Sequence, residues 1–251
     1  MARAPAHSVV DGLRDGDHDG PAYEGVLAEH SACVAALTAA GVSVEVLPPL
    51  EAYPDSIFVE DPALVFTEGA ILLNPGAPSR AGEAAELAPV LRERFDRVLT
   101  LPQGVADGGD VLVTPDLVFI GLSARTNALG AAALADALAS LGRASRVVET
   151  PSGVLHFKSA SALIDEETVL ATPAMARSGV FEGLRVLLTP PGEEAAANLV
   201  RVNDRVLAAA GHPRTAALLE GLGLRLVLLE TAEVARIDAG LSCMSLRWRK
   251  A

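Results

Sequence analysis

Along this chain, apolar stretches with helical character repeatedly run into a glycine or charged turn and then into a β-rich strand. The joins read AAGVSVEVLP (residues 39–48), RFDRVLTLP (94–102), SLGRASRVVE (140–149), EGLRVLLTP (182–190) and GLGLRLVLLE (221–230), and their starts fall 55, 46, 42 and 39 residues apart. A recurrence of this kind marks stacked or radially arranged copies of one supersecondary unit. Ahead of several helices stand two short apolar runs around a polar turn, as in DVLVTPDLVFIGLS (110–123), SALIDEETVLATP (161–173) and LVRVNDRVLAA (199–209). Pro-Asp, Asp-Glu-Glu and Asn-Asp are turn residues, so each pair reads as a hairpin. The predicted unit is strand–turn–strand–helix–strand, repeated about five times at roughly 50 residues each. Gly41, Gly142 and Gly221 stand where a left-handed helix cap is expected. Five such units could close into a ring without exposed sheet edges. That closure would place the first strand, HSVVDGL, beside the last, AGLSCMSLRW.

No Ser/Gly-rich linker divides the 251 residues, which predicts one α/β domain spanning 1–251. Half the residues are hydrophobic, so a large core is available. No apolar run reaches the ~18 residues that a bilayer span needs. The N-terminal segment also lacks the apolar core of a signal peptide, and the chain reads as soluble and cytoplasmic. Its two cysteines, Cys33 and Cys243, are too few for a disulfide scaffold and read as reduced thiols. No Cys/His cluster has zinc-ligand spacing. The net charge is −12, and Lys158 and Lys250 are the only lysines. With no basic stripe, nucleic acid is not an expected partner; a cationic small molecule suits the acidic balance better.

The polar clusters that interrupt the apolar strands are the places to look for chemistry. They are VVDGL, PDSIFVED, PGAPSRAGE, ADGGDVL, GLSARTN, LHFKS and GLSCMS. Taken alone, Cys243 would pass for a small core hydrophobe in a C-terminal strand, although Gly240, Ser242 and Ser245 leave its sulfur approachable. Cys33, in the apolar stretch EHSACVAAL, reads as core. Of five histidines, His156 begins an apolar run after a turn, where a structural role is the ordinary one. Asp107 and Asp110 bracket two glycines and would make a good turn. In PDSIFVED, the apolar Ile57, Phe58 and Val59 among Asp55, Glu60 and Asp61 predict partial burial of the acids, which then need cationic partners.

These segments, in this order, resemble the bacterial-type dimethylarginine dimethylaminohydrolases of the guanidine-modifying superfamily. The resemblance runs from about Arg3 to Trp248, and PDSIFVED, GLSARTN and GLSCMSLR are its longest matches. It implies the pentein fold, a five-bladed α/β propeller of ββαβ repeats around a central channel. It also implies hydrolysis of N-omega-methylated arginine to citrulline and an amine.

By the same resemblance, Cys243 is the nucleophile and His156, in the His-X-Lys-Ser/Thr pattern, the general acid and base. Asp107, the acid before Gly-Gly, orients the imidazole, with Asp110 left open as the alternative and otherwise expected to bond backbone within the turn or begin the strand. Glu60 and Asp61 hold the guanidinium end of the substrate and Asp55 its amino-acid end. Arg80 and Arg125 clamp its α-carboxylate through their fork geometry, and Leu13 meets it through its backbone. Attack by Cys243 would leave a covalent thiouronium, and no metal or organic cofactor is implied. Deiminases of the superfamily carry His-X-Asp, whose acid binds an unmethylated guanidine nitrogen. Here the third residue is Lys158, which favours a methylated nitrogen.

Two other readings compete: a deiminase or amidinotransferase acting on another guanidine, and a non-catalytic propeller of the kind found among ribosome-binding initiation factors. The joint presence of Cys243, His156 and an acid weighs against pure binding. A serine hydrolase using Ser242 or Ser123 lacks the G-x-S-x-G elbow. The sequence leaves the oligomeric state open between monomer and homodimer.

Overall fold

The repeat written in the hydrophobic pattern is visible in the strand order. The computed structural model describes residues 1–16 and 19–249, so His18 and Lys250 lie outside it. The described elements are β1 (Ala2–Arg3), α1 (Tyr23–Ala39), β2 (Val46–Leu47), β3 (Ala63–Phe66), β4 (Gly69–Leu72), α2 (Glu83–Arg94), β5 (Val98–Thr100), β6 (Val111–Val113), β7 (Val118–Leu122), α3 (Ala128–Ser140), β8 (Ser145–Glu149), β9 (Ser161–Leu163), β10 (Thr168–Ala171), α4 (Pro173–Arg177), β11 (Arg185–Leu188), β12 (Val200–Val202), β13 (Arg205–Ala209), α5 (Pro213–Gly221) and β14 (Arg225–Leu229). Four sheets of three strands share one plan: an antiparallel hairpin, then a helix that returns the chain to a third strand parallel to the second. Parallel pairing demands such a crossover. The middle strand is covered on both faces; β4 and β10 are buried throughout, which is why they read as continuous apolar runs. β8 and β11 form the outer edges, and about half or more of their residues are exposed.

The fifth sheet is built from both chain ends. β1 pairs in parallel with β2 after the α1 crossover. The Met1 and Leu246 backbones then exchange hydrogen bonds at 2.9 Å in each direction. Five apolar clusters bridge successive units in a closed cycle. Leu47, Ala63 and Leu246 join the first to the second, and Ile71 and Ile120 the second to the third. Phe119 and Val169 join the third to the fourth, Leu170 and Val206 the fourth to the fifth, and Leu207 and Leu37 return to α1. The α/β class and the five-unit arrangement expected above are therefore observed.

Three local expectations are corrected. HSVVDGL is not a strand: residues His7–Asp11 form a 3-10 turn, and the ring closes one step upstream, at Met1–Arg3. Gly221 is the last residue of α5, and Gly223, with φ +80°, takes the left-handed position; Gly41 and Gly142 do occupy it, at +87° and +79°. Cys243 lies in a 3-10 turn, Leu241–Met244, ahead of an extended Ser245, rather than within a strand.

Candidate active site

The same kind of loop, just before the first strand of a unit, carries Asp55, Glu60, Asp61, Asp107 and His156, while Arg80 and Arg125 lie between the second strand and the helix of their units. Short 3-10 turns at Gly108–Asp110, Phe157–Ser159 and Glu194–Ala197 lead into β6, β9 and β12, and Leu241–Met244 leads into the extended C-terminal segment. Such turns aim side chains inward where the hairpin begins. Ile57, Phe58 and Val59 are fully buried and carry Asp55, Glu60 and Asp61 inward with them.

Three buried acids in one segment require compensation. Arg80 supplies much of it. Its Nη1 donates to Asp61 Oδ2 at 2.5 Å, Nε and Nη2 donate to Glu83, and Nη2 also reaches the Asp55 and Phe58 carbonyls. Burial would raise the Asp61 pKa, but Arg80 and His156 together hold it below its ordinary value. Burial dominates at Asp55 and Glu83, whose carboxyls are raised, Glu83 to about 6. Arg80 thus presents a guanidinium already engaged inside the protein. Arg125 differs: among the described residues its side chain has no hydrogen bond or ion pair, yet its charge acts on Asp55.

Asp107 has no exposed surface. Its Oδ2 lies 3.0 Å from His156 Nε2, and its Oδ1 accepts the Gly76 N–H at 2.7 Å. Among the described residues the imidazole Nδ1 makes no hydrogen bond. Asp110 points elsewhere. It accepts the Phe157 N–H and the hydroxyls of Ser123 and Thr126, so it fastens the loop that bears His156. Its side-chain bonds leave its own turn, while its N–H donates to the Asp107 carbonyl within the turn and β6 begins at the next residue, as expected above. The two intervening glycines are required by close approach: a Cβ on Gly109 would lie 2.8 Å from Asp61 Oδ1 and 2.9 Å from the imidazole, and one on Gly108 would lie 2.0 Å from the Glu60 carbonyl. Burial opposes the imidazolium, but Asp61, Asp107 and Asp110 outweigh it and raise the His156 pKa to about 9.

Cys243 is half-buried, and its carbonyl accepts the Glu60 N–H. Burial, then the charges of Glu60 and Asp61, push the thiol up to about 12. Glu60 itself accepts from Ser242 Oγ at 2.9 Å and pairs with Lys158 Nζ at 2.6 Å and Arg247 Nη2 at 3.5 Å. Cys33 is buried within α1, where desolvation raises it to about 11. Leu13 donates its N–H to Asp55 Oδ1, which leaves only its carbonyl for another molecule. Asp61, Asp107 and His156 place ligand atoms within 4.8 Å of one another, a spacing a divalent cation could span. In the protein as described, Arg80 and the imidazolium supply the positive charge there.

Sequence reasoning passed over Ser242's bond to Glu60, Glu83, Arg247, the Ser123 and Thr126 hydroxyls, and Asn198, whose amide bonds Ser242 and the Lys158 carbonyl. Only Asn198 left a signal, as a polar residue placed directly before an apolar hairpin.

The arrangement suits nucleophilic attack on a small cationic centre, with a charged imidazole ready to give up a proton. Comparison with known proteins agrees. Residues 35–195 match the arginine deiminase family model. The chain is 37% identical to N(G),N(G)-dimethylarginine dimethylaminohydrolase of Pseudomonas aeruginosa, over 99% of its own length and 98% of the relative's. It is 35% identical to the enzyme of that name from Streptomyces coelicolor, covering 100% and 96% of the two chains. A crystal structure of the P. aeruginosa protein, a cysteine mutant complexed with citrulline, superposes with a TM-score of 0.95 at 38% identity, covering 98% and 97%. The N-terminal domain of ArgZ shares the fold, with a TM-score of 0.88 at 17% identity and coverage of 99% and 97%.

Proposed function

The chain belongs to the arginine deiminase family and, within it, to the dimethylarginine dimethylaminohydrolases, and from that premise we propose that it hydrolyses N-omega-methylated arginine to citrulline through Cys243. The observation that carries this reading is the meeting of a thiol and an Asp107-held imidazole around the buried acids Glu60 and Asp61. The five units act as one catalytic domain, residues 1–251. A cysteine nucleophile suits a reducing compartment such as the cytoplasm. Among the described residues, no helix is long and apolar enough to cross a membrane.

In the free protein Cys243 is a neutral thiol and His156 an imidazolium. A guanidinium entering beside Glu60 and Asp61 cancels the negative field that holds the proton on sulfur, and the thiol releases it to solvent. The thiolate attacks the guanidinium carbon. His156 protonates the departing dimethylamine as the C–N bond breaks, which leaves a thiouronium on sulfur. Neutral His156 then takes a proton from water, the resulting hydroxide adds to the same carbon, and the C–S bond breaks to give citrulline and the regenerated cysteine. Asp61, pinned by Arg80 and the Gly109 N–H, is a preorganised anion that needs no reorientation during these steps. Arg125 is the open cation for the substrate carboxylate, with Asp55 beside it for the α-amine. Arg80 supports this end indirectly, by fixing the Asp55 and Phe58 carbonyls and Asp61. Leu13 offers its carbonyl to the α-amine.

The arginine deiminase family match favours a second substrate, unmethylated arginine. Lys158 speaks for the methylated one. It is ion-paired to Glu60 where an acid would otherwise receive the extra N–H groups. Citrulline formation from asymmetric dimethylarginine, monomethylarginine and arginine decides between them. Turnover of a methylated substrate above arginine is expected. No citrulline from any of the three overturns the hydrolase reading, and preference for arginine overturns the substrate assignment.

A further inference from the structure

Four units contribute a group to the reaction just described: Asp61, Asp107, His156 and Cys243. The remaining unit contributes Asn198, and the five residues recur at spacings of 46, 49, 42 and 45. Like Asp61, Asn198 stands two residues before the first strand of its unit. We propose that Asn198 is a positioning residue that locks the Cys243 turn to the His156 loop, an inference that rests on the hydrolase reading above.

The three bonds of its side-chain amide span both loops. Oδ1 accepts the Ser242 N–H at 3.0 Å; Nδ2 donates to Ser242 Oγ and to the Lys158 carbonyl, each at 3.2 Å. Ser242 precedes the nucleophile, and Lys158 lies two residues after the imidazole. The Ser242 hydroxyl passes the link on to Glu60 Oε2 at 2.9 Å. One amide therefore fixes the turn of the nucleophile, the loop of the acid and a carboxylate of the cation pocket. The fit is close: a Cβ on Gly240, at the start of the Cys243 turn, would lie 2.6 Å from Asn198 Oδ1 and Cγ. Asparagine is specifically suited, because the site needs one acceptor and two donors on the same small side chain. Aspartate offers acceptors only and would add negative charge beside Glu60.

Reacting groups displaced by about 1 Å lose on the order of 100-fold in rate. The test compares wild type, Asn198→Ala, Asn198→Asp, Ser242→Ala and the Asn198→Ala/Ser242→Ala double variant in the full chain. It reads kcat and KM for asymmetric dimethylarginine per folded protein, the folded fraction taken from urea unfolding, with the pH dependence of Cys243 alkylation by iodoacetamide. Asn198→Ala is expected to lower kcat about 10- to 100-fold with KM within about threefold. Ser242→Ala loses less, since its backbone bond remains, and the double variant is no worse than Asn198→Ala. A merely structural asparagine would lower the folded fraction, exposing Cys33 to alkylation, and leave kcat per folded protein unchanged; that result, a loss confined to KM, or additive losses overturn the proposal. Should Asn198→Ala fail to fold, the near-isosteric Asn198→Asp decides on the same criteria. If wild type itself turns over no substrate, the hydrolase reading falls separately. The Cys243 alkylation profile then decides: a change of at least about threefold in Asn198→Ala supports the lock, and an unchanged profile overturns it.

Discussion

Arg80 Nη1 stands 2.5 Å from Asp61 Oδ2, with both side chains only 5% exposed. This pair keeps an anion in place among buried charged groups, directly against Gly109 and the His156 ring. A residue expected to grip the substrate carboxylate already commits most of its donors to the protein's own acids and carbonyls.

Arg80→Ala leaves Asp61 and Glu83 buried without their cation, a change that costs about 3–5 kcal/mol when a buried pair is broken. Urea unfolding should register that loss. Arg80→Lys keeps the charge but not the fork and should recover only part of it. In folded protein, Arg80→Lys should slow methylated substrates with and without an α-carboxylate alike. Arg125→Ala should instead raise KM about tenfold or more only where the carboxylate is present. Equal selectivity in the two variants contradicts this division of labour.

Asp107 and Asp110 separate by readout. Asp107→Asn keeps the shape but removes the charge that holds the His156 ring, so kcat should fall about 100-fold or more with little change in Tm. Asp110→Asn disturbs a buried acceptor of one N–H and two hydroxyls, and should lower stability by about 1–3 kcal/mol with a smaller effect on kcat per folded site. The opposite pattern would assign the orienting role to Asp110.

The pH behaviour follows from two raised groups. His156, at about 9 when folded against an ordinary 6.5, is an imidazolium at neutral pH. Its contribution to stability is fully present below about pH 6.5 and declines as pH rises through about 9. Wild type should lose roughly 2–4 kcal/mol over that window relative to His156→Gln, measured by urea unfolding. The proton on His156 is also the one given to the leaving amine, while the thiol must lose its own, so kcat/KM should rise with pH up to about 9 and level off there. The free thiol, at about 12, should alkylate faster as pH rises, without a plateau below pH 10. Cys33, buried in α1, should stay unmodified in the native protein.

Lys158→Asp places an acid where deiminases carry one. The ratio of kcat/KM for asymmetric dimethylarginine over arginine should drop about tenfold, at some cost in stability from the new repulsion with Glu60. An unchanged ratio would remove Lys158 from the account of specificity.

Much of the architecture was legible because it rests on local signals. The apolar runs of β4 and β10 and the Pro-Asp, Asp-Glu-Glu and Asn-Asp turns mark the hairpins. Ile57–Val59 foretold the burial of Asp55, Glu60 and Asp61. Features that depend on distant partners were not legible. β1 is two residues long and exists only because Val46–Leu47 and Leu246 flank it. The engagement of Arg80 depends on Asp61, 19 residues away, and on Glu83 in the next helix. Asn198 gains meaning only when ring closure brings Ser242, 44 residues on, against it. Cys243, Asp107 and His156 were named from motif resemblance; their separations in sequence gave no direct sign of a shared pocket.

The central claim is that Cys243 carries the substrate carbon. Wild-type protein mixed with asymmetric dimethylarginine, quenched in acid within milliseconds and weighed intact, should show a covalent thiouronium adduct. Proteolysis should place it on the peptide containing Cys243, and Cys243→Ser should show neither adduct nor citrulline. Citrulline formation by Cys243→Ser at the wild-type rate, or an adduct mapped to Cys33, would contradict it.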